Sequence, residues 1–157
     1  MSAPHSIRPR RQSGLGSEQQ SLVDALRAEH AAVFAYGVVA AFSNPQRADL
    51  IAGYSAAHRA RRDATIDALT AANVEAPPAD PGYTVPFPVA DPISAARLAV
   101  AVEHDTAVAW RSVIERAKSE PTRRTGVEAL TEAAQRLATW QTILGTAPPT
   151  MPFPGQP

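Results

Sequence analysis

Cysteine is absent from the 157 residues, which removes disulfides, thiolate chemistry and cysteine-ligated zinc from consideration. Lysine is almost absent. Lys118 stands alone, and arginine, the residue better suited to fixed and desolvated ion pairs, supplies the rest of the positive charge. Aromatics are 6% of the chain against 45% for all hydrophobic residues, so alanine carries much of the apolar content and favours helix. Net charge is zero at pH 7, whereas a general binder of nucleic acid or of an anionic membrane needs a basic surplus; neither partner is expected. No run reads as long and apolar enough to span a membrane. Residues 1–16 hold arginines with no apolar segment behind them, so they do not form a secretory signal, and a cytoplasmic protein is the expectation. A glycine-rich phosphate loop, a Ser-His-Asp arrangement and a cofactor fingerprint are all missing.

What is present is a repeated phrase. Glu29-His30 is followed by Tyr36, seven residues after the glutamate, and 74 residues later Glu103-His104 is followed by Trp110 at the same spacing. On a helical wheel Glu29 falls inside a stripe of Leu22, Leu26, Val33, Tyr36 and Ala40. Glu103 falls inside one of Ile93, Ala96, Val100, Ala107, Trp110 and Ile114. A carboxylate on an apolar face costs several kcal/mol unless something pairs with it. Two inward glutamates half a chain apart therefore imply two duplicated helical hairpins and a positive group between them.

Residues 1–16, rich in Pro, Arg, Ser and Gly, read as a disordered tail. A capping box at Ser17–Gln20 opens the first helix, which runs to about Phe42. Asn44-Pro45 ends it and starts the second, which runs to about Ala72 with a stripe of Ile51, Tyr54, Ser55, His58, Arg62, Thr65 and Leu69. Residues 73–92 contain seven prolines or glycines and exclude helix; such a segment is long enough to cross the full length of a bundle. Asp91-Pro92 opens the third helix, to about Lys118. After a break at residues 119–122 the fourth helix ends at Gly145, with a stripe of Val127, Leu130, Ala134, Leu137, Trp140, Gln141 and Leu144. Residues 146–157 form a proline-rich tail. Its Pro152-Phe153-Pro154 echoes Pro86-Phe87-Pro88, and each phenylalanine could latch onto the bundle. The domain is thus residues 17–145, an all-α antiparallel four-helix bundle of two hairpins joined by one long crossover.

That arrangement resembles the ferritin-like fold. More narrowly, residues 29–37 (Glu-His-Ala-Ala-Val-Phe-Ala-Tyr-Gly) and 58–63 (His-Arg-Ala-Arg-Arg-Asp) resemble an actinobacterial family of ferritin-like proteins, the domain of unknown function DUF4439. The resemblance implies a fold and no activity. Ferritin-like di-metal proteins draw one Glu from helices 1 and 3 and a Glu-x-x-His from helices 2 and 4. Glu29 and Glu103 match the single glutamates. On helix 2 His58 remains but Ser55 stands for the Glu; on helix 4 Glu132 remains, on the solvent side of the wheel, with Gln135 for the His. Three ligands survive, Glu29, His58 and Glu103, too few for a dinuclear iron or manganese centre.

Arg62 lies one turn from His58, and a guanidinium can neutralise two carboxylates with planar hydrogen bonds. The expected buried polar cluster is therefore Glu29, Tyr54, His58, Arg62 and Glu103, with Arg62 replacing metal and no cofactor. His30 and His104, ~90° off their stripes, read as surface or interface residues. Trp110 and Trp140 read as core, and Arg59, Arg61 and Asp63 as exposed ion pairs. The function expected is a non-catalytic structural or interaction module. Two alternatives stay open. One is an iron- or manganese-dependent oxidoreductase or iron-handling protein using Glu29, His58 and Glu103. The other is a small-molecule binder in the bundle core. Alanine-rich helix faces leave a homo-oligomer open.

Overall fold

The computed structural model describes residues 14–157, and among these every regular element is helical. Four long helices follow in order: α1 (Ser17–Phe42), α2 (Ala48–Ala71), α3 (Pro92–Arg116) and α4 (Glu120–Ile143), with a 3₁₀ turn at Pro45–Arg47 leading into α2. The expectation of a disordered segment falls mostly on residues 1–13, which lie outside the described residues.

Local chemistry sets the helix ends. Asn44 accepts from the Gln46 N–H and Pro45 takes the first position, where its missing N–H is no loss. Asp91 and Ser94 form a reciprocal capping box on α3. Ser119 caps α4, so the break there is shorter than expected. Gly145, at φ 74°, closes α4: its N–H reaches the Thr142 carbonyl and Thr146 N–H reaches Gln141. The capping box expected at Ser17 does not form. Gly16 occupies the cap, and Ser17 is already helical. Glu18 instead accepts from the Lys118 N–H and the Ser119 hydroxyl, tying the start of α1 to the α3–α4 turn.

Side-chain pairs between helices fix the helix directions. Tyr36 meets Glu103 while Trp110 meets Glu29, so α1 and α3 run antiparallel, and α2 and α3 run parallel. The crossover must therefore travel the bundle's length. It begins with Val74 in a core cluster around Leu26, Leu69 and Trp110. His30 then bonds the Pro77 carbonyl, Tyr83 packs on Phe34, and Phe87 ends against a second cluster around Tyr36, Leu98 and Trp140. Phe87 is thus a latch; Phe153 is not, being 65% exposed. Gly155 seats the C-terminal segment instead. Its φ is +77°, and a Cβ there would lie 2.5 Å from the Ala107 carbonyl oxygen. Gly155→Ala should cost about 1–3 kcal/mol of local stability and peel this segment off α3. Faster hydrogen exchange confined to residues 146–157 checks this; uniform loosening of all four helices would contradict it.

Helix α1 corrects one expectation: by length and composition it is apolar enough to cross a membrane. In the fold its apolar residues serve the core, with Leu22, Leu26, Tyr36 and Val39 buried around Glu29. In α4 Leu137 and Trp140 of the expected stripe are buried, but its first part is corrected by one residue: Gly126, Ala129 and Ala133 are buried, with Arg136 further on, and Val127 is 49% exposed. Gly126 allows α3 and α4 to approach, since a Cβ there would come within 2.8 Å of Ile114. Helix α1 packs on α2 and α3, and α3 packs on α4. Between α2 and α4 lies a cleft of about 580 Å³.

Candidate functional site

At mid-height the four helices contribute one buried polar cluster. His58, fully buried on α2, lies between two carboxylates: Nδ1 is 2.7 Å from Glu29 Oε2 and Nε2 is 2.8 Å from Glu103 Oε1. A neutral imidazole carries one proton and could donate to only one of them. The protonated ring donates to both, and the geometry selects it. Trp110 donates its indole N–H to Glu29 Oε1 at 2.7 Å. Tyr36 donates its hydroxyl to Glu103 Oε1 at 2.6 Å and accepts from the Trp140 indole at 3.0 Å. Arg136 donates from Nε to Glu103 Oε1 at 2.9 Å.

The repeat now has a physical meaning. Each aromatic, two turns after its own glutamate, serves the glutamate of the other helix, because α1 and α3 are antiparallel. Two carboxylates, one imidazolium and one guanidinium leave the cluster neutral. Glu103 Oε2 is the one buried side-chain polar atom without a partner among the described residues.

Burial by itself works against a charged His58. The hydrogen bonds to Glu103 and Glu29, and then their charges, outweigh it and hold the imidazole above its ordinary pKa. Burial likewise opposes a charged Glu103, yet the bond to and charge of His58, the charge of Arg136 and the Tyr36 hydroxyl hold its carboxyl below the usual carboxylate range. Burial, with the Glu103 charge behind it, keeps the Tyr36 phenol protonated.

These directions give a pH profile by linkage. The His58 contribution is complete below its ordinary value of 6.5 and is lost as pH rises through the raised folded value. The Glu103 contribution is complete above its ordinary value of 4.5 and is lost as pH falls through the lowered one. Stability should therefore peak between these values and decline on both sides. Thermal melts from acid to alkaline pH check this, and a stability that kept rising above neutrality in a His58-dependent way would contradict it.

The structure brings together three of the five residues expected in the cluster: Glu29, His58 and Glu103. Tyr54 is half-buried and makes no hydrogen bond to it; its ring sits edge-on to Tyr36 and Trp140 at 6.3 and 6.4 Å. Arg62 is displaced: its Nε pairs with Asp63 at 2.9 Å on the surface, because its position on α2 points past the cluster. The guanidinium comes from α4 instead. Arg136 stands 74 residues after Arg62, the offset that relates Glu29 to Glu103. That offset was the signal available for it, as it was for Tyr36 and Trp110. His30 is buried at the crossover interface and His104 is partly exposed beside Asp105. Glu132 is exposed and pairs with Arg61 at 2.9 Å. Ser55 faces out and accepts from Arg59.

The profile of DUF4439, a domain of unknown function, matches residues 21–157. The chain belongs to the DUF4439 family. The match runs to the last residue, so in this DUF4439 chain the segment after α4 that carries Gly155 is part of the family domain. A solved structure is similar: that of a conserved hypothetical protein from Mycobacterium tuberculosis, 42% identical, covering 82% of this chain and 97% of that one, with a TM-score of 0.80. No curated protein matches the chain.

Both ring nitrogens of His58 face carboxylates, both Glu29 oxygens accept from protein N–H groups, and Glu103 Oε1 accepts three hydrogen bonds. Only Glu103 Oε2 is unengaged. One oxygen does not hold an iron or manganese ion, which takes several oxygen and nitrogen ligands. Among the described residues no group of three or more His, Cys, Asp or Glu is placed to hold one. The residues present do not fit a di-metal centre.

Proposed function

We propose that this DUF4439 chain is a ferritin-like bundle in which the proton shared through His58, together with Arg136, stands where related bundles carry cations. We read it as a non-catalytic structural or interaction module. The observation that carries this reading is the neutral set of Glu29, His58, Glu103 and Arg136, in which every buried side-chain nitrogen and oxygen except Glu103 Oε2 is hydrogen-bonded. A general acid or base needs a reachable proton and a pKa near working pH. His58 and Glu103 are fully buried and locked to each other, so neither group offers one. The two-hairpin topology and the matching glutamates on α1 and α3 support the ferritin-like assignment.

The test is metal content after expression in iron- and manganese-supplemented medium. The reading expects substoichiometric metal and a melting temperature indifferent to chelator. Stoichiometric iron or manganese that disappears in Glu29→Ala would overturn it and restore the oxidoreductase alternative.

A further inference from the structure

We propose that the cleft between α2 and α4 binds a small carboxylic acid with an apolar body, its carboxylate held by Arg136 with Arg61 beside it. The cleft, at about 580 Å³, is in the size range of small-molecule sites. Its α2 wall includes Tyr54, Ala57, Ala60 and Ala64, which accept an apolar body, together with Arg61, and its α4 wall carries Gln135 and Arg136.

Arg136 supplies the recognition. Its side chain is nine-tenths buried, and a guanidinium carries five N–H donors. Among the described residues only Nε is used, on Glu103. The donors of both terminal nitrogens are unused by protein acceptors among the described residues and belong to a residue that lines the cleft, where a ligand can reach them. A planar fork of N–H groups matches a carboxylate in two parallel bonds.

Arg61 supplies the second observation. It lies on the same cleft, over the Trp110 ring at 5.9 Å, and its terminal nitrogen holds the Glu132 carboxylate at 2.9 Å from the opposite helix. The chain thus already places one carboxylate on the α2 side of the cleft. Glu132 is half exposed and can be displaced by an acid that also reaches Arg136. A monoanion is favoured over a phosphate dianion, because Glu132 lines the cleft, Glu103 already holds Arg136, and Ala57, Ala60 and Ala64 form an apolar strip along one wall.

The proposal goes beyond the reading of the buried cluster and does not depend on it. Hexanoate, benzoate and inorganic phosphate are titrated at low salt into the full-length protein labelled with nitrogen-15. The Trp110 indole and Arg136 Nε–H signals are followed. Saturable shifts with hexanoate or benzoate are expected, with phosphate much weaker. Arg61→Ala should weaken binding about tenfold and Glu132→Gln, which removes the internal competitor, should tighten it about threefold. Both positions lie outside the buried cluster. Absence of saturable shifts with either acid overturns the proposal. So does an affinity that neither variant changes, or phosphate binding as tightly as the acids. Metal content decides the earlier reading, so the two can fail separately.

Discussion

His58→Ala should destabilise the protein by about 3–5 kcal/mol, the range for removing one partner of a buried ion pair. That corresponds to a fall in Tm on the order of 10 °C for a domain of this size. The variant leaves Glu29 and Glu103 buried and facing each other with only the two aromatic donors and Arg136 for compensation. Part of the loss should return when Glu29→Gln is added, because an unpaired buried charge is then removed; the two substitutions are coupled and their effects do not add. Equilibrium denaturation of the three variants checks this. Additive losses would show that His58 does not bridge the carboxylates.

Arg136→Met should cost roughly 3 kcal/mol, while Arg62→Met should change stability by no more than about 0.5 kcal/mol. Methionine keeps most of the apolar stem of arginine in both cases and removes the guanidinium. The difference lies in what each guanidinium touches. Arg136 donates to a fully buried carboxylate, whereas Arg62 pairs on the surface with its neighbour Asp63. Equal effects at the two positions, or a larger one at Arg62, would return the guanidinium of the cluster to α2.

The contrast between these arginines marks where the sequence was legible. A charged residue in an apolar stripe is an anomaly, so Glu29 and Glu103 could be read directly, and His58 followed from the polar face of α2. Proline, asparagine and aspartate punctuation placed the turns, and the proline-rich run at 73–92 required the crossover. Helix α4 was harder, because its buried line begins with Gly126, Ala129 and Ala133. Small residues carry little hydropathy signal; Val127, Leu130 and Ala134, one position on, pulled the stripe around by ~100° and left Arg136 outside it. The reciprocal use of Tyr36 and Trp110 depends on the antiparallel register of α1 against α3, a tertiary fact that no single helix encodes. Phe153 failed as a latch for a similar reason. The motif matched Phe87, but the C-terminal segment is seated by the bare backbone of Gly155 against Ala107.

The central claim is that a doubly protonated imidazole joins α1 to α3. Nitrogen-15 NMR of the His58 ring at neutral pH measures this most directly. The account predicts that both ring nitrogens carry protons, with cationic chemical shifts that persist above the pH at which an ordinary histidine is neutral, and that added iron or manganese leaves them unchanged. A single neutral tautomer at pH 7, or signals that move or vanish stoichiometrically with metal, would contradict it.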